Sequence, residues 1–471
     1  MNKVQIPYNW LDYRNNPAYF VSYFGDIYFG RLIELLEYED GIFIVQNDKL
    51  QTIRDEKTEN NIIELYKKYA WEINDINIIK EVIPERIFRD TKFKELSFSN
   101  QQFKRTFVFG AAASSFCVFG DNKKDFRNSK LNPPTGFELF DEKYDDFIKK
   151  YQGAETTVPL FESMDKDIEA CLNEEWEEYK SSYNKQVAIR HINIQYYMQD
   201  LFRNISDNVV NNYSRKNLYS LFLNKIQKEL SKNSNEIISL ISFNYDTILD
   251  QYISKIFNYS LDNIDDYTDY NNRNLLLFKP HGSCDWGWKL KDNFFKNVTG
   301  QEGVAKALYK NNIEPWELYY KIIGNYKDVV ARNSWGIEYS NDKNHRGKFT
   351  LNKNLIEKID KKSNNLYLPS LLLPYRDKDE MVMPYNHSRV MRNSIENTEE
   401  LFLIGWKGNE DLFNRWLSRA SRIKKIVVVN PDATTVKNNL KQYINLDNIT
   451  IDIIDDFETF VLNDLDKYLK N

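Results

Sequence analysis

From residue 106 onward, short apolar runs alternate with stretches of polar or helical character. Several runs are apolar at nearly every position, which is typical of parallel strands buried on both faces. Segments between them have helical spacing, for example Asn409–Ile423. This alternation predicts an α/β fold with a Rossmann-like, doubly wound and mostly parallel sheet. The predicted strands are Thr106–Phe109, Ile237–Phe243, Leu275–Phe278, Leu368–Leu373, Leu401–Ile404, Lys425–Val429 and Ile449–Ile454.

The first part of the chain, residues 1–98, has a different pattern. Phe24–Gly30 and Gly41–Gln46 have the character of short strands with turn residues, and Asn60–Tyr69 has helical spacing. We therefore expect an N-terminal accessory α+β region, separate from the sheet domain that follows.

The sheet domain is expected to occupy residues 99–471 and to contain two insertions. Residues 137–234 are rich in charged and aromatic residues at helical spacing, and we interpret this segment as a helical insert. A second insert is expected at about residues 289–366, where the pattern is mixed.

Composition and charge mainly exclude functions. A formal net charge of −5 gives no bulk reason to expect nucleic-acid or anionic-membrane binding. No apolar run is long enough to cross a bilayer, and the N-terminus lacks the apolar core of a signal peptide, so we expect a cytoplasmic protein. Cys117, Cys171 and Cys284 form no Cys-x-x-Cys pair, which favours buried reduced thiols and argues against structural zinc.

The first predicted strand leads into a loop of small residues, Gly110-Ala-Ala-Ala-Ser-Ser115. Glycine permits a tight turn, and the alanines let a ligand approach the backbone. N–H groups at the start of the next helix can bind a pyrophosphate, and Ser114 or Ser115 can cap that helix or contact phosphate. Packing alone would also explain such small residues, so the loop by itself leaves both interpretations open.

The second predicted strand ends at Asn244-Tyr-Asp246. An amide both donates and accepts hydrogen bonds, whereas an ionised carboxylate only accepts, so the pair suits a ribose or a nicotinamide carboxamide. The equally open alternative is structural, with Asp246 capping the next helix and Asn244 ending the strand.

The third predicted strand is followed by His281, beside Gly282 and after Pro280. An imidazole at this place suits general-base chemistry near neutral pH. A lone histidine is more often structural, and the other three histidines of the chain lack this setting.

Taken in chain order, these loops resemble the motifs of the SIR2-like (sirtuin-fold) family, and its bacterial anti-phage NADase branch more than its deacylases. The resemblance covers about residue 99 to the C-terminus. Ala112 stands where the family's first motif has a second glycine, and Phe243 replaces a glutamine. The matching segments are Gly110–Ser114 (GAGxS), Asn244–Asp246 (QNxD), Lys279–Gly282 (His-Gly), Ile404–Trp406 (glycine loop), Val429–Asp432 (strand-end Asn) and Pro133–Phe140 (a segment of the defence branch).

The resemblance implies a zinc-independent NAD⁺ glycohydrolase that releases nicotinamide and ADP-ribose, as a regulated NAD-depleting effector in abortive anti-phage defence. It implies that His281 acts as a base, that Asn244 orients ribose or water, and that Asp246 holds the carboxamide. The residues implied to contact NAD⁺ are Gly110, Ala111, Ala112, Ser114, Ser115, Gly282, Gly405 and Asn430.

Two other functions remain open at this point. Ala112 and Phe243 give some support to a non-catalytic module that senses NAD⁺ or ADP-ribose, and an ADP-ribosyltransferase would use the same site. An enzyme that destroys NAD⁺ has to be restrained, so we expect a homo-oligomer, a separately encoded sensor or regulatory subunit, or both. Direct nucleic-acid binding and membrane association are not expected.

Overall fold

A computed structural model of the protein describes residues 102–151, 154–159, 168–182, 185–232, 235–289, 367–374, 382–383 and 385–470, together with six short strands elsewhere. The chain divides into two compact units, Met1–Ser99 and Asn100–Asn471.

The described part of the first unit is a small antiparallel sheet. Its strands are β1 (Ala18–Val21), β2 (Ile27–Gly30) and β3 (Ile44–Val45), and β1 lies between the other two. Both predicted strand patterns of this region therefore contain a strand. The predicted helix at Asn60–Tyr69 lies outside the described residues.

The second unit is built around a sheet of six parallel strands. Its order is β14-β13-β12-β4-β5-β6, and every neighbouring pair is parallel. The strands of this unit are β4 (Gln102–Phe109), β5 (Glu236–Ser242), β6 (Leu275–Phe278), β7 (Gly282–Lys289), β8 (Val329–Val330), β9 (Ile337–Tyr339), β10 (Phe349–Leu351), β11 (Tyr367–Leu371), β12 (Glu400–Ile404), β13 (Lys425–Val429) and β14 (Thr450–Ile454). The predicted α/β class with a parallel sheet is confirmed.

The order of these strands creates a crevice. Numbered one to six along the chain, they lie in the spatial order 3-2-1-4-5-6, so the direction of winding reverses between β4 and β12. In such sheets ligands bind outside the carboxyl ends of the strands at the reversal. Gly110 and Gly405 directly follow the two strands concerned.

One predicted strand does not belong to the parallel sheet. The apolar run at Leu368–Leu373 forms β11, which pairs antiparallel with β7 in a separate three-stranded sheet. Pro369 explains the difference, because proline has no N–H to donate and is confined to sheet edges. In the order β11-β7-β8, β11 is indeed an edge strand.

Helices flank the parallel sheet. The helices of this unit include α1 (Ala111–Ser115), α2 (Lys123–Asn128), α3 (Asp145–Ile148), α4 (Ile168–Ser182), α5 (Lys185–Asn212), α6 (Leu218–Leu230), α7 (Ile248–Phe257), α8 (Tyr385–Asn397), α9 (Asp411–Leu417), α10 (Ala433–Lys441), α11 (Phe457–Thr459) and α12 (Leu465–Leu469). Shorter 3₁₀ turns are Gly120–Asn122, Gly136–Glu138, Glu142–Tyr144, Ser214–Lys216 and Ile264–Thr268, and Phe460–Asp464 is a π-helical turn.

The helical character predicted for residues 137–234 is confirmed in its described parts by α3 to α6. The predicted helix at Asn409–Ile423 is shorter than expected, since α9 ends at Leu417. Of the second predicted insert, the structure describes only β8, β9 and β10.

The central strand β4 is covered on both faces. Phe107 stacks on Phe402 of β12 with ring centroids 4.4 Å apart, and its edge contacts Phe222 of α6 at 5.0 Å. On the opposite face, the hydroxyl of Thr106 lies 2.6 Å from that of Thr398, just after α8. This two-sided burial explains why the strand ends in three consecutive apolar residues, Phe107-Val-Phe109.

The three cysteines are buried thiols, as predicted. Among the described helices, none has an apolar stretch long enough to cross a bilayer.

Candidate active site

A cavity of about 730 Å³ lies at the carboxyl ends of the parallel strands. This volume falls within the range of small-molecule sites. The loops that follow all six strands contribute to its lining. The predicted site residues that line it are Gly110, Ala111, Ala112, Ser114, Asn244, Asp246, His281, Gly405 and Asn430.

Two predicted ligand contacts, Ser115 and Gly282, are placed differently: neither lines the cavity. The Ser115 hydroxyl donates a hydrogen bond to the carbonyl of Pro133 at 2.7 Å, and this bond holds a segment that does line the cavity. Gly282 pairs with Leu371 of β11. Both residues support the site through backbone and loop contacts.

The glycine loops after β4 and β12 touch each other directly. The Gly110 N–H donates to the carbonyl of Ile404 at 3.0 Å. A Cβ on Gly110 would lie 2.4 Å from the Gly405 carbonyl oxygen, and one on Gly405 would lie 2.5 Å from the backbone nitrogen of Ala113. Only glycine fits at either place, and the contact leaves Ala111 and Ala112 facing the cavity.

A buried hydrogen-bond network orients Asn244. Its Nδ2 donates to the Ser114 hydroxyl at 2.9 Å, and that hydroxyl is bonded to the Tyr219 hydroxyl at 3.0 Å. The Asn244 Oδ1 is buried and has no hydrogen-bond partner among the described residues. A buried unsatisfied acceptor costs about 1–3 kcal/mol, a cost that a ligand donor would remove.

Asp246 fits both roles that the sequence left open, contact with a ligand and capping of the next helix. Its Oδ1 accepts a hydrogen bond from the Ile248 N–H at the start of α7 at 3.1 Å, and the residue also lines the cavity. Burial raises the pKa of its carboxyl, opposed by the positive charge of Lys279 and a hydrogen bond from Ser114.

Lys279 ties the loop after β5 to the loop after β6. Its side chain is fully buried, and Nζ donates to the Asp246 carbonyl at 2.5 Å and to Asp250 Oδ2 at 3.1 Å. Tyr267 donates to Asp250 Oδ1 at 3.1 Å. Burial raises the pKa of Asp250, and the charge of Lys279 opposes that rise. The sequence patterns did not predict this pair, although a lysine that follows a buried strand is a signal for one.

Lys279→Met is expected to lower the free energy of unfolding by about 3 kcal/mol, because it leaves a buried carboxylate without its cation. Urea unfolding of the purified variant measures this. Combining Lys279→Met with Asp250→Asn should recover part of the loss, since residue 250 then carries no charge that needs the Lys279 cation. Lys130→Met, which breaks an exposed ion pair with Asp146, should change little. Equal losses for the single and double variants would contradict the assignment.

His281 lies in a buried, largely aromatic setting. Its side chain is 4% exposed, and its ring lies edge-on to Phe243 with centroids 4.9 Å apart. Nε2 lies 3.8 Å from Oε1 of Glu410, a carboxylate that is itself 7% exposed. The sequence patterns did not single out Glu410, which lies just before α9; an acidic residue between a glycine loop and a helix was the available signal.

The predicted adenosine contact Asn430 has a structural task as well. Its Nδ2 donates to the Trp406 carbonyl at 3.0 Å, and its Oδ1 accepts from the Asp432 N–H at 2.9 Å. It therefore joins the loops after β12 and β13. Trp406 stacks parallel to Phe243, and its buried indole N–H has no hydrogen-bond partner among the described residues.

Positive charge also lines the cavity. Lys123, Arg127 and Lys407 belong to its lining. The Arg127 guanidinium lies over the ring of Phe116, 4.1 Å from its centroid, and Phe116 is 41% exposed. An anionic ligand would meet these cations together with the start of α1.

No protein-family model matches this sequence, and no curated protein is similar enough to count as a relative. Function therefore has to be inferred from the chemistry of the site itself.

Proposed function

We propose that the protein is an NAD⁺ glycohydrolase. One observation carries the proposal: Asn244, Asp246 and His281 line the same cavity as the glycine loop at Gly110, at the reversal point of a parallel sheet. This is the set of groups that the resemblance to SIR2-like NADases requires. A cavity of about 730 Å³ lies within the size range of small-molecule sites. A crevice at the reversal point of a parallel sheet suits a dinucleotide.

The binding arrangement follows from the loops. The pyrophosphate would lie on Gly110–Ala112, where the absence of bulky side chains lets it approach backbone N–H groups. Arg127 supplies positive charge to the same cavity, and Lys123, which also lines it, is paired there with Glu458 at 3.2 Å. The adenosine half would lie toward Gly405 and Asn430, and the nicotinamide half toward His281.

The reaction is NAD⁺ + H₂O → nicotinamide + ADP-ribose + H⁺. The bond between ribose C1′ and the nicotinamide nitrogen breaks, and its electron pair stays on the nicotinamide, which leaves neutral without a general acid. Positive charge develops at C1′, so catalysis depends on positioning and electrostatic stabilisation. Water adds to C1′, and His281 takes the proton from the water or from a ribose hydroxyl. Asn244 Oδ1 would accept a hydrogen bond from that hydroxyl or water.

Purified protein incubated with NAD⁺ should release nicotinamide and ADP-ribose in equal amounts. Asn244→Ala should slow this release by about 10²–10³-fold, the usual cost of losing one positioned polar group. Ser114→Ala breaks the same internal hydrogen bond but keeps the amide, so its loss should be smaller. Equal losses would mean that Asn244 matters only for internal bonding. Chromatography of products after labelling NAD⁺ in the adenosine half gives the measurement.

The same assay separates the alternatives. Binding of NAD⁺ without turnover would indicate a sensing module, and label attached to a macromolecule would indicate a transferase. We propose that the enzyme depletes NAD⁺ in bacterial anti-phage defence and is restrained by self-assembly or by a separately encoded subunit. The assay therefore includes a sample with the product of the neighbouring gene, so that a restrained enzyme is not mistaken for a sensor.

A further inference from the structure

The buried carboxylate of Glu410 faces the imidazole of His281. The two side chains are 7% and 4% exposed, and Nε2 lies 3.8 Å from Oε1. That distance is too long for a hydrogen bond but well within the range of a strong charge interaction. Hydrogen bonds of this kind are often long in the absence of ligand and shorten in the reacting complex.

The backbone around Glu410 is held in place. Its carbonyl accepts the Asn414 N–H of α9 at 2.9 Å, and the Asn414 side chain donates to the Gly408 carbonyl at 2.9 Å. Gly408 has φ +78°, a conformation that glycine favours. The carboxylate therefore projects from a bonded helix start. A freely moving surface glutamate would have no such anchor.

An aromatic wall borders the pair. Phe243 contacts His281 at 4.9 Å, Trp406 at 5.9 Å and Phe413 at 5.3 Å between ring centroids. An apolar border excludes water, which strengthens the attraction between opposite charges and disfavours an imidazolium that has no partner. Glu410 supplies a negative charge 3.8 Å from the ring nitrogen Nε2.

Other titratable groups near His281 lie in the loop after β5 and in the loop that carries His281 itself. The loop after β5 offers Tyr245 and Asp246, and the positive charge of Lys279 acts on Asp246. Lys279, in the loop of His281 itself, is bonded to Asp250. The end of β11 and the residues after it, 371–374, carry no titratable side chain. Glu410 places a carboxylate oxygen 3.8 Å from the imidazole nitrogen.

We propose that Glu410 is a positioning residue that holds the His281 ring and stabilises its protonated form. The inference deepens the proposed function and, for its part in the reaction, rests on it. With a hydrogen on Nε2 directed at Glu410, the lone pair of the ring is on Nδ1. A proton from water or a ribose hydroxyl then moves to Nδ1, and the resulting imidazolium lies beside a carboxylate.

The test titrates His281 by NMR in protein labelled at its four histidine rings, with His281→Gln used to assign the signal. Glu410→Gln keeps the shape of the side chain and removes its charge. The titration midpoint of His281 should fall by about one pH unit or more, as expected for loss of an opposite charge within about 4–6 Å. Glu410→Asp should give an intermediate midpoint, and it replaces Glu410→Gln if the latter does not fold.

Asp455→Asn is the matched control. Asp455 also lines the cavity but follows β14, at the opposite edge of the sheet from β6. Five strand spacings separate those edges, or about 24 Å, well beyond the screening length of about 8–10 Å in physiological salt. This variant should leave the His281 midpoint unchanged.

Three results would overturn the proposal: an unchanged midpoint in Glu410→Gln, an equal fall in Asp455→Asn, or a wild-type ring that stays neutral down to pH 5. The titration needs no turnover, so a protein that fails to cleave NAD⁺ would refute the proposed function while this test still gives its answer. Where turnover is measured, the acid limb of the kcat/KM profile should move to lower pH in Glu410→Gln.

Discussion

His281→Ala is expected to slow NAD⁺ cleavage by about 10³–10⁴-fold while the protein keeps its fold. The loss follows from removing the only imidazole that lines the cavity among the described residues, because a positioned general base contributes up to about 10⁴-fold. The fold should persist because alanine keeps the main-chain hydrogen bond of this residue, in which the Leu372 N–H donates to the carbonyl of residue 281 at 2.9 Å. Nicotinamide release and a thermal unfolding curve measure the two quantities.

His191→Gln is the matched control for that variant. His191 is as deeply buried as His281 and bonds Glu175 at 3.2 Å, but it lies in α5 and does not line the cavity. Burial lowers the pKa of its ring, so glutamine replaces a neutral side chain that bonds Glu175. Its turnover per folded molecule should stay near that of the wild type. Near-normal activity in His281→Ala, or a comparable loss in His191→Gln, would refute the role of His281.

Gly282→Ala should lower the free energy of unfolding by about 4 kcal/mol. The backbone there has φ +78°, which costs an L-residue about 1–2 kcal/mol. The added Cβ would also lie 2.0 Å from the Ser370 carbonyl oxygen, a backbone atom of β11 that cannot move alone. Such overpacking costs about 1–3 kcal/mol more. Urea unfolding gives the measurement.

Gly120→Ala isolates the backbone part of that cost. Gly120 has nearly the same conformation, with φ +74°, but an added Cβ would meet nothing within 4 Å. Its expected loss is about 1–2 kcal/mol, from the backbone conformation alone. Similar losses in the two variants would show that the contact with β11 contributes nothing.

The sequence predicted the strands of the parallel sheet and the loops that carry the candidate site residues, because the signals for both are local. Uninterrupted apolar runs such as Ile426-Val-Val-Val429 identify strands buried on both faces, and the residues directly after them must lie at the carboxyl edge of a parallel sheet. Asn244 and His281 could therefore be placed at one edge before their distance was known. In the structure both residues line one cavity.

The same local signals fail where two elements meet. The run at Leu368–Leu373 has the composition of a central strand, yet Pro369 places it at the edge of another sheet. Ser115 and Gly282 follow the motif pattern, but the partners that determine their roles, Pro133 and Ser370, belong to other segments.

What the sequence alone determined is the fold class, the order of the strand-end loops and the kinds of chemical group that they carry. Tertiary structure decided which of those groups face a ligand and which are committed to internal bonds, as Lys279 is to Asp250 and Asn430 to Trp406. It also brought Glu410 to His281. Periodicity records only which face of an element is buried, whereas the charge partner of a buried side chain depends on how distant segments pack against each other.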